Sequence, residues 1–205
     1  MKILYNTGRR LTRSIFGLLC RPSVTGVENI PLEGGCILAS NHISNFDPPI
    51  IGSWVPREVH FLAKKELFPN KLAASFFYRL NCIPVKRGAI DRKAIEESVA
   101  AIKAGQIVTI FPEGTRFIDG ELHPPKPGVG VVARKSGCSI IPAYLHGTNR
   151  LRDCFRRRVK MSINYGPVIP DEWVNSVTDD KKGYIQIAER IMSEIAKIRD
   201  RVLNS

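Results

Sequence analysis

Gly35-Cys36-Ile37-Leu38-Ala39-Ser40-Asn41-His42-Ile43-Ser44-Asn45-Phe46-Asp47-Pro48-Pro49 is the stretch that decides how this chain folds. It leaves a turn, runs apolar over 36–39, and opens into the polar loop Ser40-Asn41-His42. A short apolar run bounded by turn signals reads as a buried strand. Asp47-Pro48-Pro49 then reads as a helix start, with Asp47 at the N-cap and proline in the first turn.

The same unit recurs downstream. Further strands are expected at 58–63, 82–85, 106–111, 139–145 and 159–165, and helices at 67–80, 91–104, 129–135 and 181–202. Gly105 and Gly137 stop two of those helices. Ile185, Ala188, Ile191, Met192, Ile195 and Ile198 share one face of the last. Strands alternating with helices predict an α/β fold, a mostly parallel sheet flanked by helices. Residues 22–35 read as a turn-rich connector. Residues 1–21 stand apart: Lys2, Arg9, Arg10, Arg13 and Arg21 meet no acid, and Ile3, Leu4, Leu11, Ile15, Leu18 and Leu19 recur at roughly helical spacing. The segment reads as a basic amphipathic helix or helical pair that docks on a membrane surface. The competing reading is a terminal helix docked on the core. The expected organisation is an N-terminal amphipathic membrane-docking segment, 1–21, and one α/β domain, 22–205.

Composition narrows the function. The chain has 205 residues, 43% hydrophobic and 24% charged, enough to bury a core without staples. Lys plus Arg outnumber Asp plus Glu by 31 to 19, a net charge of +12. That excess points to nucleic acid, an anionic membrane or a phosphorylated substrate. With no aromatic-rich sheet motif and no helix-turn-helix pattern, nucleic acid is not expected. Cys20, Cys36, Cys82, Cys138 and Cys154 form no CxxC pair, so they read as free core thiols in a reducing compartment. His60, His123 and His146 lack ligand spacing, so no metal site is expected. No apolar run reaches the roughly 18 residues that suggest a spanning helix.

Polar clusters recur at one place in the expected fold. His42, Lys64, Arg87 and Glu113-Gly114-Thr115-Arg116 each follow the C-terminal end of a predicted strand. In open α/β sheets that edge holds ligands, so these clusters should converge on one site. Across a tight turn the Asp47 carboxylate can accept a hydrogen bond from one nitrogen of His42. That fixes the tautomer and leaves the other nitrogen as a general base. Asp47 has a second oxygen and can also cap its helix. No G-x-S-x-G elbow occurs, Ser44 has no supporting signal, and the cysteines fall mostly in predicted strands. A base without a protein nucleophile suits group transfer to a substrate hydroxyl from an activated donor. In Phe111-Pro112-Glu113-Gly114-Thr115-Arg116, Gly114 permits a sharp turn and Arg116 offers a planar fork for phosphate. Glu113 either accepts hydrogen bonds from a polyol or holds Arg116. Arg87 and Lys64 are further phosphate-binding candidates.

Four blocks, in order, resemble the lysophosphatidic acid acyltransferase family (1-acyl-sn-glycerol-3-phosphate acyltransferases). Asn41–Asp47 matches its NHxxxxD block and Phe111–Arg116 its FPEGTR block, about 70 residues apart. Residues 82–88 resemble its second block and 140–148 its fourth, a proline-containing strand. The resemblance implies that His42 is the general base and Asp47 its orienting partner. It implies that Arg87, Glu113, Gly114, Thr115 and Arg116, joined by Lys64, bind the glycerol phosphate of the acceptor, and that Pro142 shapes the acyl-donor side. It further implies acyl transfer from acyl-CoA or acyl-carrier protein to the sn-2 hydroxyl of lysophosphatidic acid, making phosphatidic acid with no cofactor beyond that co-substrate. The enzyme would sit at the cytoplasmic face of an anionic membrane, peripheral or monotopic. Lys86 and Phe117 depart from the family pattern, which leaves another lysolipid acceptor as the first alternative; the +12 charge keeps a non-catalytic anionic-lipid-binding module as the second. Trp54, Phe61, Phe68, Phe76 and Phe77 are candidates for an acyl tunnel.

Overall fold

A computed structural model describes residues 2–86, 88 and 91–204. Its centre is a sheet of β1 (Ser23–Thr25), β2 (Cys36–Ser40), β3 (Val59–Lys64), β4 (Cys82–Val85), β5 (Ile107–Ile110), β6 (Ser139–His146) and β7 (Ser162–Tyr165). The strand order is β1-β7-β6-β2-β5-β3-β4, and only the β6–β7 pairing is antiparallel. The helices are α1 (Lys2–Leu19), α2 (Asp47–Ser53), α3 (Lys71–Arg79), α4 (Arg92–Lys103), α5 (Gly128–Ser136), α6 (Leu151–Phe155), α7 (Asp171–Ser176) and α8 (Lys181–Leu203).

The apolar run at 36–39 forms the central strand, β2. All of β2 is buried, because both of its faces are covered. Alternation assigns the faces: Ile37 and Ala39 join the core that includes Val132, Ile187, Ile191 and Ile195, whereas Cys36 and Leu38 join Ile50, Ile51, Val59 and Ile163. α8 buries Ile187, Ala188, Ile191, Ile195 and Ile198, the stripe read from the sequence. Asp91 and Asp180 cap α4 and α8 by accepting hydrogen bonds from the Ala94 and Gly183 amides.

Two expectations need correction. Residues 22–35 hold a strand, β1, in parallel register with β7: Val24 faces Ile163. Three residues paired with a partner far along the chain leave no local signal. The helix expected at 67–80 begins only at Lys71, because Asn70 caps it through a hydrogen bond accepted from the Ala73 amide. The segment expected to dock on a membrane is one helix, α1, and it packs on the domain. Tyr5, Phe16 and Cys20 are buried, and the Tyr5 hydroxyl accepts a hydrogen bond from the Val59 amide at 2.9 Å. Its other side leaves Ile3, Leu11 and Leu18 in solvent. Among the described residues no helix is long and apolar enough to cross a membrane.

Candidate active site

The parallel strands end together, and their last residues and following loops meet around His42. That ring is held from three directions. Nδ1 lies 2.9 Å from Asp47 Oδ2, the imidazole stacks on Phe111 at 4.0 Å between centroids, and the His42 amide donates to Glu113 Oε2 at 2.9 Å. Because the Asp47 carboxylate only accepts hydrogen bonds, the imidazole proton belongs on Nδ1. Nε2 then carries the lone pair, and it has no hydrogen-bond partner among the described residues.

Asp47 does more than orient a ring. Its Oδ2 also accepts the Ile43 and Ser44 amides, each at 2.7 Å, and its Oδ1 accepts the Thr148 hydroxyl at 2.6 Å. The carboxylate points back into the loop that precedes it. Phe46 is the N-cap of α2 and offers no side-chain cap, so the assignment of Asp47 as helix cap is replaced by an Asp47 that ties the loop shut. Thr148 escaped sequence reading. It follows β6 through Gly147, whose left-handed φ of 79° turns the chain toward Asp47. Asn41 closes the neighbouring gap by accepting from the Leu145 amide and donating to the Leu145 carbonyl, which lashes the end of β2 to β6.

Glu113 is 1% exposed, and its two oxygens accept the amides of His42 and His123. Burial pushes its carboxyl above the usual range, against the pull of those two hydrogen bonds. It therefore holds backbone, and among the described residues it makes no ion pair with Arg116. Neither sequence expectation for Glu113 matches this geometry.

Two cavities adjoin the ring, and His42, Leu62 and Phe111 line both. The larger, about 760 Å³, lies under α1 and α3 and takes in Lys64, Thr115 and Arg116 together with Phe61 and Phe77. The smaller, about 410 Å³, lies against α4 and α5 and takes in Lys86, Gly114 and Lys126 beside Val129 and Val132. Gly114 has a φ of 70°, and a Cβ there would stand 2.7 Å from Lys126 Cδ; its lack of a side chain lets Lys126 lie across the loop. Lys64, Arg116 and Lys126 carry no ion pair among the described residues, so their charges are free to meet a ligand. Arg87 lies outside the described residues. Pro142 is buried inside β6, where its carbonyl accepts the Gly166 amide, and it lines none of the cavities named above. The structure does not bring Pro142 to the dyad.

Comparison with known proteins agrees with this architecture. A protein-family model described as Acyltransferase matches residues 21–146. A relative from Bacillus subtilis (strain 168), named 1-acyl-sn-glycerol-3-phosphate acyltransferase, is 33% identical over 138 residues, 66% of this chain and 68% of the relative. A relative of the same name from Borreliella burgdorferi is 37% identical over 129 residues, 62% of this chain and about half, 51%, of the relative. Among solved structures, the 1-acyl-sn-glycerophosphate acyltransferase PlsC from Thermotoga maritima superposes with a TM-score of 0.72 at 22% identity, covering 96% of this chain and 78% of that one. At that identity the match speaks for the fold.

Proposed function

Since this chain belongs to the acyltransferase family, we propose that it moves a fatty acyl group from a thioester, acyl-CoA or acyl-carrier protein, to the sn-2 hydroxyl of 1-acyl-glycerol-3-phosphate, giving phosphatidic acid. One observation carries the reading: a histidine fixed at Nδ1 by Asp47 leaves Nε2 unpartnered, and two separate cavities reach that same ring. Two cavities beside one base suit two substrates.

The chemistry follows from the donor set. The acceptor hydroxyl donates its hydrogen bond to His42 Nε2. As its oxygen attacks the thioester carbonyl, Nε2 takes the proton and the Asp47 carboxylate steadies the imidazolium. The tetrahedral intermediate expels the thiolate, which recovers that proton from Nε2 and leaves as a thiol. General base catalysis of this kind contributes about 10²–10⁴-fold, and holding both substrates in place supplies more. Lys64 and Arg116, on the same cavity as the base, suit the acceptor phosphate, Arg116 with two parallel donors. The exposed apolar side of α1 suits a peripheral membrane position, where an amphiphilic acceptor resides.

The test is a matrix of donors and acceptors with purified protein, following free thiol and identifying the product by mass. Thiol release should require a lysophospholipid with a free phosphate monoester. Arg116→Lys should raise the acceptor KM about tenfold through loss of the bidentate geometry and leave the donor KM nearly unchanged. Turnover with phosphate-free acceptors at the same efficiency would reject the acceptor assignment. Thiol release that ignores the acceptor would reject acyl transfer itself.

A further inference from the structure

His42 is held by its backbone as well as by its ring. Its amide donates to Glu113 Oε2, and its carbonyl accepts a hydrogen bond from the Phe117 amide at 2.9 Å. Both peptide groups of the base therefore lean on one loop, residues 113–117, and that loop needs support of its own. Its foot is fixed: the Gly114 amide donates to the Phe111 carbonyl, and the Lys126 amide donates to the Pro112 carbonyl. Between Phe117 and Lys126 the chain swings outward. Leu122 reaches the core beside α8, whereas Ile118 stands in solvent.

Two rings that the acid–base chemistry does not use close this excursion. Phe117 and His123 stack with 3.6 Å between centroids and 13° between planes. His123 Nε2 lies 2.8 Å from Asp119 Oδ2, and Asp119 Oδ1 accepts the Glu121 amide at 3.1 Å. The His123 amide completes the circuit by donating to Glu113 Oε1. Phe117 thus bonds the His42 carbonyl, His123 bonds the carboxylate that holds the His42 amide, and the stack joins those two anchors. The Asp119–His123 pair lies partly in solvent, where such pairs contribute little. Stacked rings also bury apolar surface, so the stack carries the larger share. Phe117 is one of the two departures from the family pattern, so its contact with His123 is not something the motif implies. Neither residue lines the cavities beside His42.

We propose that the Phe117–His123 stack is a clasp that positions the general base, pressing Glu113 and the 113–117 loop against both peptide groups of His42. Phe117 and His123 are positioning residues, because they act on the base through hydrogen bonds to its backbone and to Glu113. The proposal rests on the acyl-transfer reading and adds to it the device that keeps the base in register with its substrates. Displacing a reacting group by about 1 Å costs about 10²-fold in rate, so a loosened clasp should strike turnover and spare affinity.

The test begins with thiol-release kinetics. Phe117→Ala and His123→Ala should each lower kcat about tenfold, with acceptor and donor KM within about twofold of the parent. His123→Phe keeps a ring for Phe117 and should hold kcat within about twofold. The double alanine variant should be no slower than the slower single variant, because either truncation opens the same clasp. Unchanged kcat in both single variants, a rise in KM in place of the fall in kcat, single effects that multiply in the double variant, or His123→Phe as slow as His123→Ala would each overturn the proposal. Residue-resolved amide exchange reports the clasp apart from turnover, and it serves equally where truncation costs stability. In His123→Ala the amides of His42 and Phe117 should exchange at least about tenfold faster while those of β2 hold. If all of these amides speed up together, the stack supports the whole fold and is overturned as a positioning device. If the parent transfers no acyl group at all, selective exchange at His42 and Phe117 keeps the clasp while acyl transfer falls, and unchanged exchange there overturns the clasp as well.

Discussion

The two ends of the sheet are packed to different standards. Around β2 and β6 the chain is dense: β2 is buried throughout, α8 lays an isoleucine stripe on one face, and α2 buries Ile50 and Ile51 on the other. At the β3–β4 edge α3 buries none of its residues and leaves Leu72 and Phe76 in solvent. The proposed base stands on the boundary. His42 and Asp47 belong to the dense end, where every polar atom that fixes them comes from a buried loop. Lys64 sits at the loose end, on the rim of the large cavity. Reaction geometry demands rigidity of a few tenths of an ångström, whereas a binding rim that admits an amphiphile can be open. Substitutions should therefore separate: changes at the dense end strike rate and stability together, and changes at the loose end leave the fold alone.

The largest effect is expected at the dyad. His42→Ala should lower transfer by at least about 10²-fold, the low end for losing a general base. The loss of fold should be smaller than at Asp47, because the ring contributes one stacking contact and one hydrogen bond, and Asp47 keeps its three other donors. Asp47→Asn should be worse for the fold than His42→Ala. An amide at that position presents one acceptor where the carboxylate meets four donors, and each buried donor left unmatched costs about 1–3 kcal/mol. Circular dichroism melts beside thiol-release rates check the contrast. A His42→Ala protein with parental turnover would remove the dyad, and an Asp47→Asn protein as stable as the parent would remove its role in shaping the loop.

A middle-sized effect is expected at Thr148. Thr148→Val keeps the shape and deletes the donor to Asp47 Oδ1, a buried hydrogen bond to a charged group. Such bonds contribute about 1.5–3 kcal/mol. Thr148 bonds Asp47 and lines neither cavity beside His42, so it is a positioning residue: kcat should fall about tenfold from the loosened carboxylate, acceptor and donor KM should hold, and Thr148→Ser should restore both rate and stability. A KM change without a kcat change would put Thr148 on a substrate instead.

Thr148 also marks what a sequence can carry. The dyad is legible, because a histidine and an aspartate five apart between a strand and a helix have few ways to be arranged. The cation-bearing edge is legible for the same topological reason, since parallel strands end on one side. Thr148 lies 101 residues from Asp47 along the chain, and a lone threonine after a strand announces nothing. Glu113 was misread because its true partners are backbone amides, which every residue possesses. Pro142 was misplaced by the opposite error: a residue inside a recognisable block was given a role in the site, and the strand buries it in the sheet. β1 and the late start of α3 were lost to pairing and capping, which depend on neighbours that a local reading does not see.

The smallest effect on the fold is expected where the surface is most apolar, and it sharpens the comparison most. Ile3, Leu18 and Leu72 are 84%, 72% and 83% exposed, on α1 and the neighbouring α3. Removing such a side chain strips almost no buried area, so Ile3→Ser, Leu18→Ser and Leu72→Ser together should leave stability within about 0.5 kcal/mol per site. Deleting the whole of residues 1–21 asks a different question, because it also strips buried Tyr5, Phe16 and Cys20 and unpairs the Val59 amide from the Tyr5 hydroxyl. The point variants isolate the outer face. They should lose flotation on anionic vesicles and slow transfer to acceptor embedded in bilayers, while transfer to acceptor in detergent stays at the parental rate. If the triple variant floats as the parent does, the exposed stripe is not what meets lipid, and the loose end of the sheet needs another reason for its openness. If it melts several degrees lower, these side chains are packed against something after all, and the division between a dense catalytic end and a loose binding end fails where it was drawn most firmly.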